Sequence, residues 1–151
     1  MRSNDNTYYI NRIRLINFHN FVNETIEVKN GGHLFLLGDN GSGKTTVLDA
    51  IHYVLTAGDC MEFNSAARVA GAKEGGRRPQ GIITRYNVDT GHMNPQGGVT
   101  YAALEIIGRQ GRASTIAVGM SVGAPNENLK RWGIVRECIL EDIPFLLEDE
   151  N

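Results

Sequence analysis

Hydrophobic and polar positions change period several times along this chain. From Tyr8 to Phe21, Ile13 and Leu15 alternate with Arg12 and Arg14, the two-residue period of a half-exposed strand. Asn17 to Asn20 then bring turn chemistry between Phe18 and Phe21. Alternation resumes from Val22 to Val28, with Glu24, Ile26 and Val28 opposing Thr25 and Glu27, and Asn30-Gly31-Gly32 is a strong turn signal. The short uninterrupted run Leu34–Leu37 predicts a buried strand. Immediately beyond, Val47, Leu48, Ile51, Val54 and Leu55 recur at helical spacing, and Gly58 stands where a helix C-cap glycine belongs.

The second half reads as a meander. Thr100 to Ile107 alternates small and large residues, Gly108 to Arg112 makes a turn, and Ser114 to Val122 alternates cleanly. In that last strand Ile116, Val118 and Met120 share one face, and Thr115, Ala117 and Ser121 the other. A loop through Pro125 leads to a strand from Trp132 to Leu140, and an acidic tail pauses at Pro144. Between Gly58 and Gly98 large apolar residues are sparse, although Asn64 or Ser65 can cap a short helix through Arg68 and Val69. Loops this long inside compact domains are usually functional or mobile.

Composition narrows the class. A chain of 151 residues with 41% hydrophobic and 21% charged residues suits one globular domain with a real core, spanning 1–151. A formal net charge of −2 excludes a global basic field, so any nucleic-acid surface must be local. Arg68, Lys73, Arg77, Arg78 and Arg85 concentrate such charge in the long loop, and Arg109 and Arg112 add it to a turn. Lysines and arginines in loops are usually just solvated, and Arg12 and Arg14 read equally well as nucleotide contacts or as a solvated strand face. Cys60 and Cys138 form no C-x-x-C, and His19, His33, His52 and His92 lack metal-ligand spacing. With no signal-like or membrane-length apolar run, the expected setting is the cytoplasm, with no membrane partner.

The chemistry lies between the predicted strand and helix. Gly38, Gly43, Lys44 and Thr45 fit G-x-x-x-x-G-K-T, a match that arises by accident in a chain this long about one time in a hundred. Strand, glycine loop and helix in that order are the context such a phosphate-binding P-loop requires. Gly38, Gly41 and Gly43 let the backbone through Asp39, Asn40 and Ser42 curl its N–H groups toward phosphate oxygens at the positive end of the helix. Lys44 brings a point charge to the β- and γ-phosphates, Thr45 a hydroxyl for Mg²⁺, and Thr46 completes the stretch that meets ATP.

A simple P-loop kinase would continue with β-α-β crossovers. Here antiparallel strands precede the loop and an antiparallel meander follows the helix. That order is expected of an α/β P-loop NTPase of ABC type: the first lobe of an ATPase head with a flanking antiparallel β-subdomain. A magnesium carboxylate at the end of a second apolar strand is missing. Its nearest candidate, Cys138 to Asp142, is interrupted upstream by Arg136 and Glu137, and nothing resembles L-S-G-G-Q. The expectation is therefore phosphate binding without a complete hydrolytic site, in a fragment or in a chain completed by a partner polypeptide.

The motifs together resemble the opening of SMC-type ATPases, the proteins of structural maintenance of chromosomes and their DNA-repair relatives. Asn17, Phe18 and Phe21 match L-x-N-F-x-x-F, Asn40 through Thr45 match G-x-N-G-S-G-K-[ST], and Asp49, Ala50 and Ile51 match D-A-I on the first helix. Arg85 to Glu105 looks more narrowly like the condensin-like JetC branch of Wadjet anti-plasmid systems. The resemblance implies ATP and Mg²⁺ as cofactors, hydrolysis only in a composite site, a C-terminal head lobe and a second ATPase head as partners, and action on DNA. The Wadjet branch further implies plasmid loop extrusion with kleisin, winged-helix and nuclease subunits. His19 departs from the family, which often has Lys or Arg there, so a phosphate contact from that position is not carried over. No glutamine loop can be placed, because Gln80, Gln96 and Gln110 all fall in turns. Two other readings stand beside this one: a nucleotide-binding interaction module without turnover, and the head of a related DNA-repair or nuclease-associated ATPase.

Overall fold

The structure is a computed structural model that describes residues 7–28, 32–58, 82, 86–87, 92–93, 98–122 and 128–145. In chain order the elements are β1 (Tyr9–Phe18), β2 (Phe21–Glu27), α1 (Lys44–Leu55), β3 (Tyr86–Asn87), β4 (His92–Met93), β5 (Gly98–Ile107), β6 (Ala113–Val122) and β7 (Lys130–Arg136). Five strands form one sheet in the order β2-β1-β5-β6-β7, every neighbouring pair antiparallel, and among the described residues β3 pairs with β4 alone. The expected helix at 64–69 and the basic stretch from Arg68 to Arg85 lie outside the described residues.

The period-2 pattern assigns the faces. Ile13 and Leu15 of β1, Ala102 and Leu104 of β5, and Val118 and Met120 of β6 point to one side, where α1 covers them with Val47, Ala50, Tyr53 and Val54. Burying each such large side chain stabilises the fold by roughly 1.5–3 kcal/mol. The predicted apolar stripe of the helix is thus rotated. Leu48 and Leu55, expected in the core, are 59% and 60% exposed, while Thr46, Ala50 and Tyr53 are buried. Counting only large aliphatic residues places the stripe about one position off, because Ala50 and Tyr53 complete the true i, i+3, i+4 and i+7 set.

The helix closes in a Schellman turn. Gly58 N–H donates to Tyr53 O at 2.8 Å and Ala57 N–H to Val54 O at 3.1 Å. Gly58 is therefore one residue beyond the expected cap, and Ala57 takes the left-handed position with φ 54°. Gly58 is itself left-handed, at φ 77°, and a Cβ there would lie 3.1 Å from the Tyr53 ring and 3.2 Å from Val118. Arg131 of β7 donates to Gly58 O, fastening this end of the helix to the sheet.

Two predicted strands are corrected. Residues 34–37 have no regular secondary structure and join no ladder among the described residues. Leu34 and Leu36 pack partly against the core, whereas Phe35 and Leu37 are 80% and 89% exposed. An apolar run marks a segment for burial, yet burial on both faces needs strands to either side. The last strand spans Lys130–Arg136 rather than Trp132–Leu140, and Leu140–Asp142 is a 3-10 turn.

That turn and Phe145 cover the sheet face opposite α1, where Leu140 and Phe145 pack with Ala103, Ala117 and Ile134. Here sits a buried ion network. Glu105, 1% exposed, accepts from Asn11 Nδ2 at 2.7 Å, from the Arg12 guanidinium, and from the Leu140 N–H at 3.0 Å. Arg12 also pairs with Glu141. A bulge between Ile10 and Arg12 in the β1–β5 register accompanies this cluster. Burial pushes the Glu105 carboxyl up, but hydrogen bonds from Arg12, Asn11 and Leu140 outweigh it and hold the group below its ordinary value. The Arg12 hydrogen bond lowers Glu141 to about 2.

Two outcomes follow for stability. Gly58→Ala should lower stability by about 1–2 kcal/mol, because its Cβ meets Tyr53 and its φ is left-handed; urea unfolding followed by circular dichroism measures this. Depressed carboxyl values contribute stability that is fully present above the unfolded value near ~4.3 and is lost as pH falls through the folded ones. The thermal midpoint should therefore drop between about pH 4 and pH 2. Glu105→Gln should lower the midpoint at pH 7 and show a smaller acid drop than wild type; an identical acid drop would mean that Glu105 contributes no linkage.

Candidate nucleotide site

The glycine-rich loop runs from the end of segment 34–37 into the first turn of α1. Gly38, Gly41 and Gly43 have φ of 149°, 87° and 96°, so the curl rests on three residues without a Cβ. A Cβ on Gly38 would fall 2.6 Å from Ser42 Oγ. Ser42 N–H donates to Asp39 O at 3.2 Å, closing a turn, and Val47 N–H donates to Gly43 O at 3.1 Å, starting the helix. Gly43 is the helix N-cap and uses no side-chain cap, and no acidic residue occupies the first turn. The positive end of the helix therefore faces the loop with no carboxylate in its own first turn.

Lys44 folds back over this loop. Its Nζ donates to Gly38 O and Asp39 O, both at 2.7 Å, and to Ser42 Oγ at 3.3 Å. The ammonium is thus held at the mouth of the curl by the loop's own carbonyls. Thr45 is exposed on the first turn, whereas Thr46 is buried beside the hairpin that joins β1 to β2. Asp39, Asn40, Gly41 and Ser42 are all exposed on the loop surface.

The tip of that hairpin, His19 and Asn20 between Phe18 and Phe21, lies directly against the loop. His19 Nδ1 is 3.4 Å from Thr46 Oγ1 and 2.9 Å from Asn20 Oδ1. A Cβ added to Gly43 would meet Phe21 Cζ at 2.9 Å and Asn20 Nδ2 at 3.2 Å. The sequence places these residues in a turn and, through N-F-x-x-F, in the family resemblance; their seat against Gly43 and Thr46 comes from the tertiary structure.

Other candidates are placed away from the loop. Arg12 and Arg14 lie on the sheet face opposite α1: Arg12 is ion-paired, and Arg14 donates to Asn23 at 3.2 Å and stacks over Phe145 at 5.5 Å. The alternation that turns Ile13 and Leu15 inward turns both arginines from the helix and its loop. Glu141 is likewise committed to Arg12 in its 3-10 turn, so Cys138 to Asp142 forms no strand-end carboxylate. Arg112 lines a polar concavity of ≈ 390 Å³ with Tyr8, Gln110 and Glu137 at the far end of the sheet. Tyr101 packs edge-on to Trp132 and Phe145, and Asp49 is half-buried on the helix. Among the described residues, no three His, Cys, Asp or Glu side chains gather where they could hold a metal ion.

Among comparisons with known proteins, one family match spans the loop. Residues 10–70 match the family described as the P-loop containing region of AAA domain. The DNA replication and repair protein RecF of Brucella abortus (strain 2308) is 30% identical over 97 residues, covering 46% of this chain and 25% of RecF. RecF of Francisella tularensis subsp. novicida (strain U112) is 41% identical over 46 residues, covering 30% of this chain and 13% of RecF. The matches thus span a quarter or less of the curated relatives. A solved SMC ATPase structure, from work on ATP-driven dimerization and DNA-stimulated activation, aligns with 87% of this chain and 72% of its own at 19% identity and a TM-score of 0.41. No helix among the described residues is long and apolar enough to cross a membrane. The chain carries an α/β P-loop NTPase fold, and part of its sequence is similar to the DNA replication and repair protein RecF.

Proposed function

We propose that residues 1–151 are the N-terminal lobe of an SMC-like ATPase head and that Gly38 to Thr46 hold the phosphates of ATP. The observation that carries this reading is Lys44, poised over a left-handed glycine loop at the positive end of a helix. In the ligand-free loop its ammonium is satisfied by Gly38 O and Asp39 O. Phosphate oxygens at the same mouth replace those carbonyls with charge-assisted partners. Backbone N–H groups from Asp39 to Lys44 supply further donors. Thr45 offers one hydroxyl ligand for Mg²⁺, which when bound neutralises phosphate charge, and the remaining ligands come from ATP, water and groups outside this lobe.

Apolar exposure supports a missing half. Phe35 and Leu37 stand open in an unladdered segment, and Leu48 and Leu55 open from the same helix that carries the loop. A C-terminal head lobe supplies strands to flank residues 34–37 and an apolar surface for that side of α1. In the proposed cycle ATP joins this head to a second one and hydrolysis parts them, acting on DNA in the cytoplasm. Similarity of Arg85 to Glu105 to the Wadjet branch extends the proposal to plasmid defence with kleisin, winged-helix and nuclease partners; only Val99 to Glu105 and the backbone of a few further positions in that stretch are described.

Lys44→Ala should weaken binding of a fluorescent ATP analogue by at least about a hundredfold; unchanged affinity would refute the site. The isolated 151-residue chain should turn over ATP at background rate until a C-terminal lobe is added. Vigorous hydrolysis by the chain alone would mean that the catalytic carboxylate lies within it.

A further inference from the structure

We infer that the β1–β2 hairpin tip is a positioning device for the P-loop, with Phe21 as the residue that fixes the backbone of Gly43. The inference rests on the proposed nucleotide reading of that loop. Phe21 reaches the loop edge-on: the space a Cβ would take on Gly43 is bounded by Phe21 Cζ at 2.9 Å, Phe21 Cε2 at 3.0 Å and Asn20 Nδ2 at 3.2 Å. Gly43 is both the left-handed hinge of the loop, at φ 96°, and the residue whose carbonyl starts α1. Its peptide plane therefore sets how the loop's N–H groups are aimed relative to the helix axis. A glycine has no side chain to hold such a conformation, so it must be held from outside.

The tip can do so because it is itself tied down on three sides. Thr100 Oγ1 donates to Asn17 O at 2.6 Å and Asn17 Nδ2 to Val99 O at 3.3 Å, fastening the end of β1 to β5. His19 N–H donates to the carbonyl of Ile82, a fully buried residue, at 2.9 Å. His19 Nδ1 lies 3.4 Å from Thr46 Oγ1, so the tip also touches the first turn of the helix. Asn17 and His19 both adopt left-handed φ, 47° and 56°, a region in which Asn and His are the more frequent non-glycine residues and which closes the tight turn. Phe21 in turn packs partly into the main core. A chain of contacts thus runs from the buried sheet through the turn to the glycine that joins the loop to α1. Phosphate recognition depends on donors held within about 0.5 Å of their productive positions, and this contact supplies that constraint from a rigid element.

The test uses the full 151-residue chain and two measurements: affinity for a fluorescent ATP analogue, and amide hydrogen exchange of the ligand-free protein by mass spectrometry. Phe21→Ala should weaken the analogue about tenfold. It should speed exchange in peptides covering residues 39–45 while those of β5, β6 and the middle of α1 keep wild-type rates. Phe21→Met, which can reach the same point, should recover most of the affinity. Val22→Ala, on the exposed neighbour, should change neither. If Phe21→Ala does not fold, Phe21→Leu carries the same expectation at about threefold. Unchanged affinity with unchanged loop exchange, or exchange that rises equally across sheet and helix, would overturn the inference. Failure of the wild-type chain to bind the analogue would instead count against the nucleotide reading, and the ligand-free exchange pattern would still decide the role of Phe21.

Discussion

The placement of one helix across one sheet is the constraint on which the rest of the molecule depends. Val47, Ala50, Tyr53 and Val54 lie on Ile13, Leu15, Leu104, Val118 and Met120, and the fully buried, helical Ile82 joins the same core. Because the phosphate-type loop is the N-terminal extension of that helix, its position is set by this burial. Both ends of the helix are then clamped. At the C-terminal end Gly58 fits against Tyr53 and Val118 and its carbonyl takes the Arg131 guanidinium; at the N-terminal end the β1–β2 tip bears on Gly43 and Thr46. A rigid helix held at both ends delivers its loop to a defined place, which a loop between two mobile segments could not do.

The opposite face of the sheet is organised by charge. Glu105 is buried among apolar neighbours, and a lone carboxylate there would be costly. Arg12, Asn11 and the Leu140 N–H satisfy it, and the second arm of Arg12 reaches Glu141. This network draws residues 139–145 onto the sheet and places Phe145 against Tyr101 and beneath Arg14. It accounts for two basic residues that stand near the candidate loop in sequence but not in space. Their side chains are engaged in holding the back of the sheet, with the helix and loop on the front.

The exposed apolar residues divide differently from the buried ones. Phe35, Leu37, Leu48 and Leu55 belong to the unladdered segment and helix that bracket the glycine loop, while the four-strand body β1, β5, β6 and β2 buries most of its large aliphatic side chains on the helix side. Tyr8, Val22, Val135 and Ile139 are exposed elsewhere, but the open apolar side chains of Phe35, Leu37 and Leu48 beside the loop fit the proposal of a composite site closed by another lobe. The similarity to RecF, confined to a quarter or less of that protein, fits it too.

Local rules sufficed for much of the molecule. Alternation located β1, β2, β5 and β6, because a strand with one buried face must repeat every two residues. The G-x-x-x-x-G-K-T spacing located the loop, because backbone curvature and the lysine position are encoded within eight consecutive residues. What failed were inferences that needed partners. The Leu34–Leu37 run gave no hint that its flanking strands would be absent from the described fold, and the helix stripe was misread because the contribution of Tyr53 and Ala50 depends on the surface they meet. Ion pairing of Arg12 with Glu105 and Glu141, 93 and 129 residues away, has no local signature at all, and the N-F-x-x-F spacing marks Phe21 without naming Gly43 as its neighbour. The sequence by itself determined the strand period and the phosphate-type loop, which are properties of short stretches. Only the tertiary structure decided which charges are spent on stability and which residues bear on the loop, because those contacts arise from closing the chain on itself.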